Sequence, residues 1–256
     1  MQAYDYYLRA ADARASYHSS ASRDDLSAAR RFLQHALAID PNYARAHAAL
    51  AMVYQSFWNQ RWDGDCPWPA ALDRAYQLAH KAVQQAPDLP QARVALGWVL
   101  FWKGQHAAAI AEHERAIALN PNLTDRLIAH TLVCAGEPAR AIQHLEMHMR
   151  FDPFYEPLAP GVLGLAFFML KRYAEALPHL REFVSRDPNR RAAHEWLAAT
   201  FGQLGELENA RAEAAELLRV APYYTISGSP VVTHLKRPED IENLTDGLRK
   251  AGLPVA

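Results

Sequence analysis

A short phrase recurs along the chain: Ala36-Leu-Ala-Ile-Asp-Pro41-Asn, Ala82-Val-Gln-Gln-Ala-Pro87-Asp and Ala116-Ile-Ala-Leu-Asn-Pro121-Asn. Looser copies end at Pro153, Pro188 and Pro222. Subtracting these proline positions gives gaps of 46, 34, 32, 35 and 34 residues, so three of the five lie within one residue of 34. Twelve residues before each proline stands an alanine: Ala29, Ala75, Ala109, Ala141, Ala176 and Ala210. Alanine is frequent in this chain, so one match means little, but six in phase mark an internal repeat. Seventeen residues before the proline, three copies carry glycine: Gly104, Gly136 and Gly205.

Each mark has a mechanical reason. Glycine permits the tight turn between two helices. Alanine lets the second helix of a pair approach the first closely. Proline cannot continue a helix, so it ends one pair and starts the next. Between the marks the apolar residues fall at three- and four-residue steps, as at Leu96, Leu100, Ala109, Ile110 and Ala116, and no useful stretch alternates with period two. The spacing predicts helices throughout and no strand.

These residues resemble the tetratricopeptide family, whose repeat places leucine, glycine and an aromatic in a first helix and alanine, alanine and proline in a second. The third unit carries Leu96, Gly97, Leu100, Ala109, Ala116 and Pro121; the fifth carries Leu163, Gly164, Phe167, Ala176 and Pro188; the sixth carries Leu197, Ala198, Phe201, Ala210 and Pro222. The resemblance implies an all-α, right-handed solenoid of about six helix pairs over residues 1–222, followed by an irregular segment and a closing helix in 223–256. That helix, Pro238 to Ala251, has acids at its start, Arg249 and Lys250 at its end, and an apolar stripe of Ile241, Leu244 and Leu248. It is expected to cap the last pair by covering Ala210, Ala214, Leu217 and Leu218.

Two units depart from the pattern. The 46-residue unit holds an insertion at about 56–68, containing Trp58, Trp62 and Trp68. Three tryptophans are costly to leave in water, so the segment either folds back on neighbouring helices or serves as a flap against a ligand. The fourth unit is two residues short and has Thr124-Asp125 where its first helix should begin.

The closing Pro238-Glu-Asp-Ile and Leu248-Arg-Lys-Ala-Gly-Leu-Pro254, with the opening Ala3-Tyr-Asp-Tyr-Tyr-Leu-Arg9, resemble the C-terminal repeat region of bacterial class III adenylate/guanylate cyclase-like proteins. In those proteins a catalytic domain lies upstream of the repeats. No residue of this sequence matches the cyclase metal-binding aspartates, so cyclase activity is not implied for it.

Composition excludes further classes. The 256 residues carry 27 Lys+Arg against 28 Asp+Glu, with no basic stripe of the kind that tracks nucleic acid. The longest apolar run, Gly161 to Leu170, is about half of what a bilayer needs, and the N-terminus has no secretory apolar core. Cys66 and Cys134 are too few for a disulfide framework and suit a reducing, cytoplasmic setting. There is no phosphate loop, no nucleophile elbow and no dinucleotide fingerprint. His144 and His148 stand four apart as zinc ligands could, but no third ligand is placed by the sequence. Glu112-His113-Glu114 is a triplet that exposed helix faces produce routinely. Neither a metal, a cofactor nor catalysis is expected.

Binding is the expected activity. In the family's architecture the first helices of successive pairs line a concave face, which should present Met52, then Val94, Trp98, Phe101 and Trp102, and then Arg126 and His130. Phe168 and Met169 follow, with Arg45, Leu165 and Glu195 as further members of the face. Phe101 and Phe168 are equally well placed for the core. An aromatic and methionine lining suits an extended peptide or a partner's helix. Ala48, Met52 and Val94 stand where the family's carboxylate-clamp members use lysine and asparagine, which argues against a peptide C-terminus as ligand. The alternatives are a freestanding adaptor with the same groove, or a small-ligand sensor using the tryptophan-rich insertion.

Overall fold

In the computed structural model, residues 2–20 and 22–256 are described, with the side chains of 18–20 left aside. Among the described residues there are fourteen helices and no strand. Six pairs run along the chain: α1 (Ala3–Ser20) with α2 (Arg23–Ile39), α3 (Ala44–Asn59) with α4 (Trp68–Gln85), and α5 (Pro90–Trp102) with α6 (His106–Leu119). The second three are α7 (Arg126–Cys134) with α8 (Pro138–Phe151), α9 (Leu158–Met169) with α10 (Tyr173–Arg186), and α11 (Arg191–Leu204) with α12 (Leu207–Val220). A short helix α13 (Pro230–His234) and the closing α14 (Pro238–Lys250) follow. The chain forms two compact units, 1–123 and 124–256, divided at the irregular start of the fourth pair.

The six in-phase alanines are all fully buried, at 0% exposure. Their lack of bulk is what the pairing uses. A Cβ on Gly97 would lie 3.0 Å from the Ala109 carbonyl, and one on Gly164 would lie 3.2 Å from the Ala176 carbonyl. Where the fifth pair carries Phe183 in place of a small residue, Gly161 stands opposite, and a Cβ there would meet the Phe183 ring at 2.3 Å. Volume is conserved across the contact, as close-packed interiors require. The turn glycines Gly104, Gly136 and Gly205 have φ of 73°, 89° and 78°. Lys171 fills the same slot in the fifth pair with φ 59°, a left-handed conformation that an L side chain adopts at a cost.

A polar clamp missed in the sequence recurs six residues after the proline. The Pro41, Pro87 and Pro188 carbonyls accept hydrogen bonds from His47 Nε2 (3.0 Å), Arg93 Nε (3.1 Å) and His194 Nε2 (2.8 Å). Arg93 then reaches Glu112 at 2.8 Å, and His194 Nδ1 reaches Glu213 at 2.7 Å, each tying the first helix of a pair to the second. The hydrogen bond to Glu213 raises the His194 pKa, favouring the imidazolium that donates from both nitrogens.

The insertion lengthens α3 to Asn59 and then loops through 60–67. Asp65 pins the loop: its carboxylate accepts from Tyr54 (2.6 Å), Gln34 (2.8 Å) and Arg30 (3.1 Å). Trp62 packs edge-on to Tyr17, and Arg61 lies over the Trp68 ring. The segment is folded back on α1, α2 and α3.

The closing helix is present, but its packing differs from the expectation. It lies on α11 and α9, not on α12. Ala210, Ala214 and Leu217 are buried within the α11–α12 pair, while the outer side of α12 carries Glu208, Arg211, Glu216 and Arg219 in the open and needs no cap. Leu244 and Leu248 are buried as expected, and Ile241 is only half-buried.

Candidate partner-binding faces

In unit 1 the first helix α3 packs on the first helix α5 as well as on α4 between them. Along α3, Arg45, Met52, Ser56 and Asn59 are seven, four and three residues apart, so they share one face, and all four retain exposure. Met52 packs on the buried Ala48, Ala82, Ala92 and Ala95, and an aromatic floor joins α3 to α5. Trp58 meets Trp102 at 5.6 Å between ring centroids, Trp102 meets Trp98 at 5.4 Å in a T-shaped contact, and Trp98 stacks on Phe101 at 5.2 Å. Trp98 is 5% exposed and Trp102 9%, whereas Trp58 is half-buried. The Trp98 indole donates to Gln55 Oε1 at 3.1 Å, a partner the sequence did not suggest. Phe101 is wholly buried beside His106 and Val94 is buried too, so these two belong to the core beneath the floor.

In unit 2 the predicted residues sit differently. Arg126 is held by Glu156 (2.6 Å), which also pairs with His148 Nε2 at 3.4 Å. Burial alone would raise the Glu156 carboxyl, but the His148 hydrogen bond and the Arg126 guanidinium hold it at about 2. His148 is raised, first by its hydrogen bond to Glu156. His144 Nε2 accepts from the Asp125 amide at 3.0 Å, and His148 Nδ1 lies 3.2 Å from Thr124. The two histidines that stand four apart therefore fasten the short α7, whose N-cap is Asp125, to α8. Among the described residues no three His, Cys, Asp or Glu side chains gather as a metal site would require. Glu112 is held by Arg93 and Arg115, and His113 is buried against the Gly97 surface, so that triplet serves the helix pair.

His130, Phe168, Met169 and Glu195 are all buried. His130 lies 6.1 Å from the Trp196 ring, and burial, with the nearby Arg126 and His234 charges, pushes its pKa down to about 3. Glu195 is fully buried; its carboxylate accepts from the Tyr224 hydroxyl (3.0 Å) and from Ser229, and it pairs with Arg191. Asn243 of α14 donates to the Phe168 carbonyl at 3.4 Å. In this unit the face the sequence assigned to a partner is met at Glu195 and Phe168 by the chain's own C-terminal segment.

This arrangement defines a tetratricopeptide-type helical repeat. No protein-family model matches the chain. Its fold is similar to human IFIT1, solved as a dimer with m7Gppp-AAAA, with 19% identity, 90% of this chain and 55% of that chain covered, and a TM-score of 0.64. It is similar to a chain of the APC/C hetero-tetramer Cut9-Hcn1 (18% identity, 83% and 40% covered, TM-score 0.63) and to pilF of Pseudomonas aeruginosa (19%, 84% and 95%, TM-score 0.53). In sequence, 101 residues are 32% identical to a Rhizobium meliloti (strain 1021) protein assigned as adenylate cyclase 3, covering 40% of this chain. The match spans 16% of that relative's length. No helix among the described residues is long and apolar enough to cross a membrane.

Proposed function

We propose that the chain is a non-enzymatic protein-interaction module that takes an extended peptide or a partner's helix on the inner face of unit 1. The carrying observation is the stripe of Arg45, Met52, Ser56 and Asn59 left accessible on α3, with the Trp58–Trp102–Trp98 cluster joining α3 to α5. A flexible, partly open thioether packed over the buried Ala48, Ala82, Ala92 and Ala95 suits an apolar side chain, and Arg45, Ser56 and Asn59 offer hydrogen bonds to a peptide backbone. Trp98 and Phe101 support this face from below, and Met52, Trp58 and Trp102 meet the ligand. The titratable clusters described have structural partners: Glu112 and His194 serve helix pairing, Asp65 pins the insertion loop and Glu195 holds the C-terminal segment, which favours binding over catalysis. The likeness to a segment of an assigned adenylate cyclase supports a place in a cyclase-type signalling protein, where the repeats would recruit a protein partner. A peptide library selected against the whole chain tests the reading. Selected ligands should lose at least tenfold in affinity with Met52→Lys and keep it with Arg150→Ala on the exposed side of α8. Ligands indifferent to Met52→Lys would refute it.

A further inference from the structure

The C-terminal segment crosses unit 2 on its first helices. From the α12 end it passes α11, where Tyr224 and Ser229 bond to Glu195. It reaches the end of α7, where the Lys236 amide donates to the Cys134 carbonyl at 2.9 Å and Arg237 to the Gly136 carbonyl at 3.4 Å. It returns as α14 over α9 and α11, with Asn243 at the Phe168 carbonyl and Gly247 against Gly202. The last residues then meet its beginning, where the Ile226 and Ser227 amides donate to the Pro254 and Val255 carbonyls. The segment thus engages all three first helices of the unit, as a bound peptide would, and it joins the repeats through one connection at 221–223, where Tyr223 is 98% exposed.

The fit is incomplete in two places. The Trp196 indole N–H is buried and meets no acceptor among the described residues, although the ring lies between His130 and Phe183. In α14 the Asp240 carboxylate is buried, and its one described ion-pair partner is Arg237, at 3.5 Å. Buried polar groups are normally satisfied in a permanent core, and Asp240, on the segment itself, marks an imperfect seating of α14 on the repeats. Burial raises the Asp240 pKa, in keeping with a carboxylate short of donors.

We propose that the inner face of unit 2 is a peptide-recognition groove occupied in cis by residues 224–251, which act as an intramolecular ligand and close this face to outside partners. The segment's own chemistry describes a competitor. It has hydroxyl donors for Glu195 and an amphipathic helix with glycine where it crosses Gly202, because a Cβ at Gly247 would lie 2.5 Å from the Ala199 carbonyl oxygen. This inference goes beyond the proposed function and does not depend on the unit 1 face.

The test uses the whole chain with a specific protease sequence placed after Tyr223. After cleavage, the segment should stay with the repeats in gel filtration. A fluorescent synthetic peptide of residues 224–256 should then exchange into the cleaved chain and not into the uncut one, with at least a tenfold difference in the anisotropy-detected fraction bound. In the uncut wild-type chain, the amides of α13 and α14 should exchange with deuterium together, ahead of those of α9 and α10. A cleaved chain that refuses the peptide, or uncut α14 amides that exchange only with α9 and α10, would show the segment to be core and overturn the proposal.

Discussion

Gly202→Ala probes the seating of α14 on α11, because two effects of opposite sign compete there. In a helix interior alanine is favoured over glycine by about 1 kcal/mol. Against that, a Cβ at Gly202 would lie 2.2 Å from the Gly247 carbonyl oxygen and 3.0 Å from its carbon. Close carbon–oxygen contacts across packed helices sit near about 3.3 Å, so the helices must part by about 1 Å. The obstacle is backbone, which cannot rotate away. Parting them also loosens Leu244 and Leu248, both fully buried on α14, and a gap of this size forfeits roughly a quarter to a half of each contact. Overpacking of this kind costs about 1–3 kcal/mol, with the lost contacts in addition, so the clash wins by about 1–2 kcal/mol net. At about 2–4 °C per kcal/mol for a chain of this size, the circular-dichroism Tm should fall by roughly 2–8 °C, with deuterium exchange accelerated in α14. Gly205→Ala serves as control: its φ of 78° imposes strain, but no described atom lies within 4 Å of the new Cβ, so α14 should stay protected. A Gly202→Ala protein that melts higher, with α14 as protected as before, would refute this packing.

Three further outcomes follow from the same geometry. Lys171→Gly should raise stability by about 0.5–1 kcal/mol in urea unfolding, because it removes a left-handed lysine from a slot that glycine fills in three other pairs. Asp65→Ala leaves the buried Tyr54 hydroxyl without its acceptor; it should cost about 1–3 kcal/mol and speed tryptic cleavage at Arg61 in the freed loop. Stability should depend on pH through unit 2. Glu156, depressed to about 2, contributes above its unfolded pKa near 4.5 and loses that contribution as pH falls toward 2. His148, raised by Glu156, contributes fully below its unfolded pKa near 6.5 and loses that contribution as pH rises through its folded value. Their mutual support is therefore greatest between about pH 4.5 and 6.5, and Glu156→Gln should lower the His148 pKa in an NMR titration.

The repeat was legible because its marks are local. An alanine twelve residues before a proline and a glycine seventeen before it describe one helix pair, and the alanines proved fully buried in all six. Lys171 escaped notice because the slot demands a φ, which a sequence reveals only when glycine fills it. The amphipathic stripe of α14 was equally plain, but a stripe announces that a face is covered and not by what. Its neighbour was fixed by the meeting of Gly202 with Gly247, 45 positions apart by subtraction. The candidate faces were read from spacing alone, which places Phe101 and Trp102 on adjoining positions. Only packing against α6 separates the buried Phe101 from the aromatic edge. Glu195 was assigned to the inner face, yet its partners Tyr224 and Ser229 lie 29 and 34 residues away in a segment with no periodicity to locate it.

The most direct test of the proposed binding face is NMR of the whole chain, with its tryptophan indole and methionine methyl signals followed during titration with a peptide selected against it. Met52, Trp58 and Trp102 should shift together and saturably, while the indole of Trp196 stays in place. Met52→Lys should abolish the shifts without altering the helical signal. Saturable binding that moves none of the three, or that survives Met52→Lys undiminished, would contradict the assignment of unit 1 as the partner-binding face.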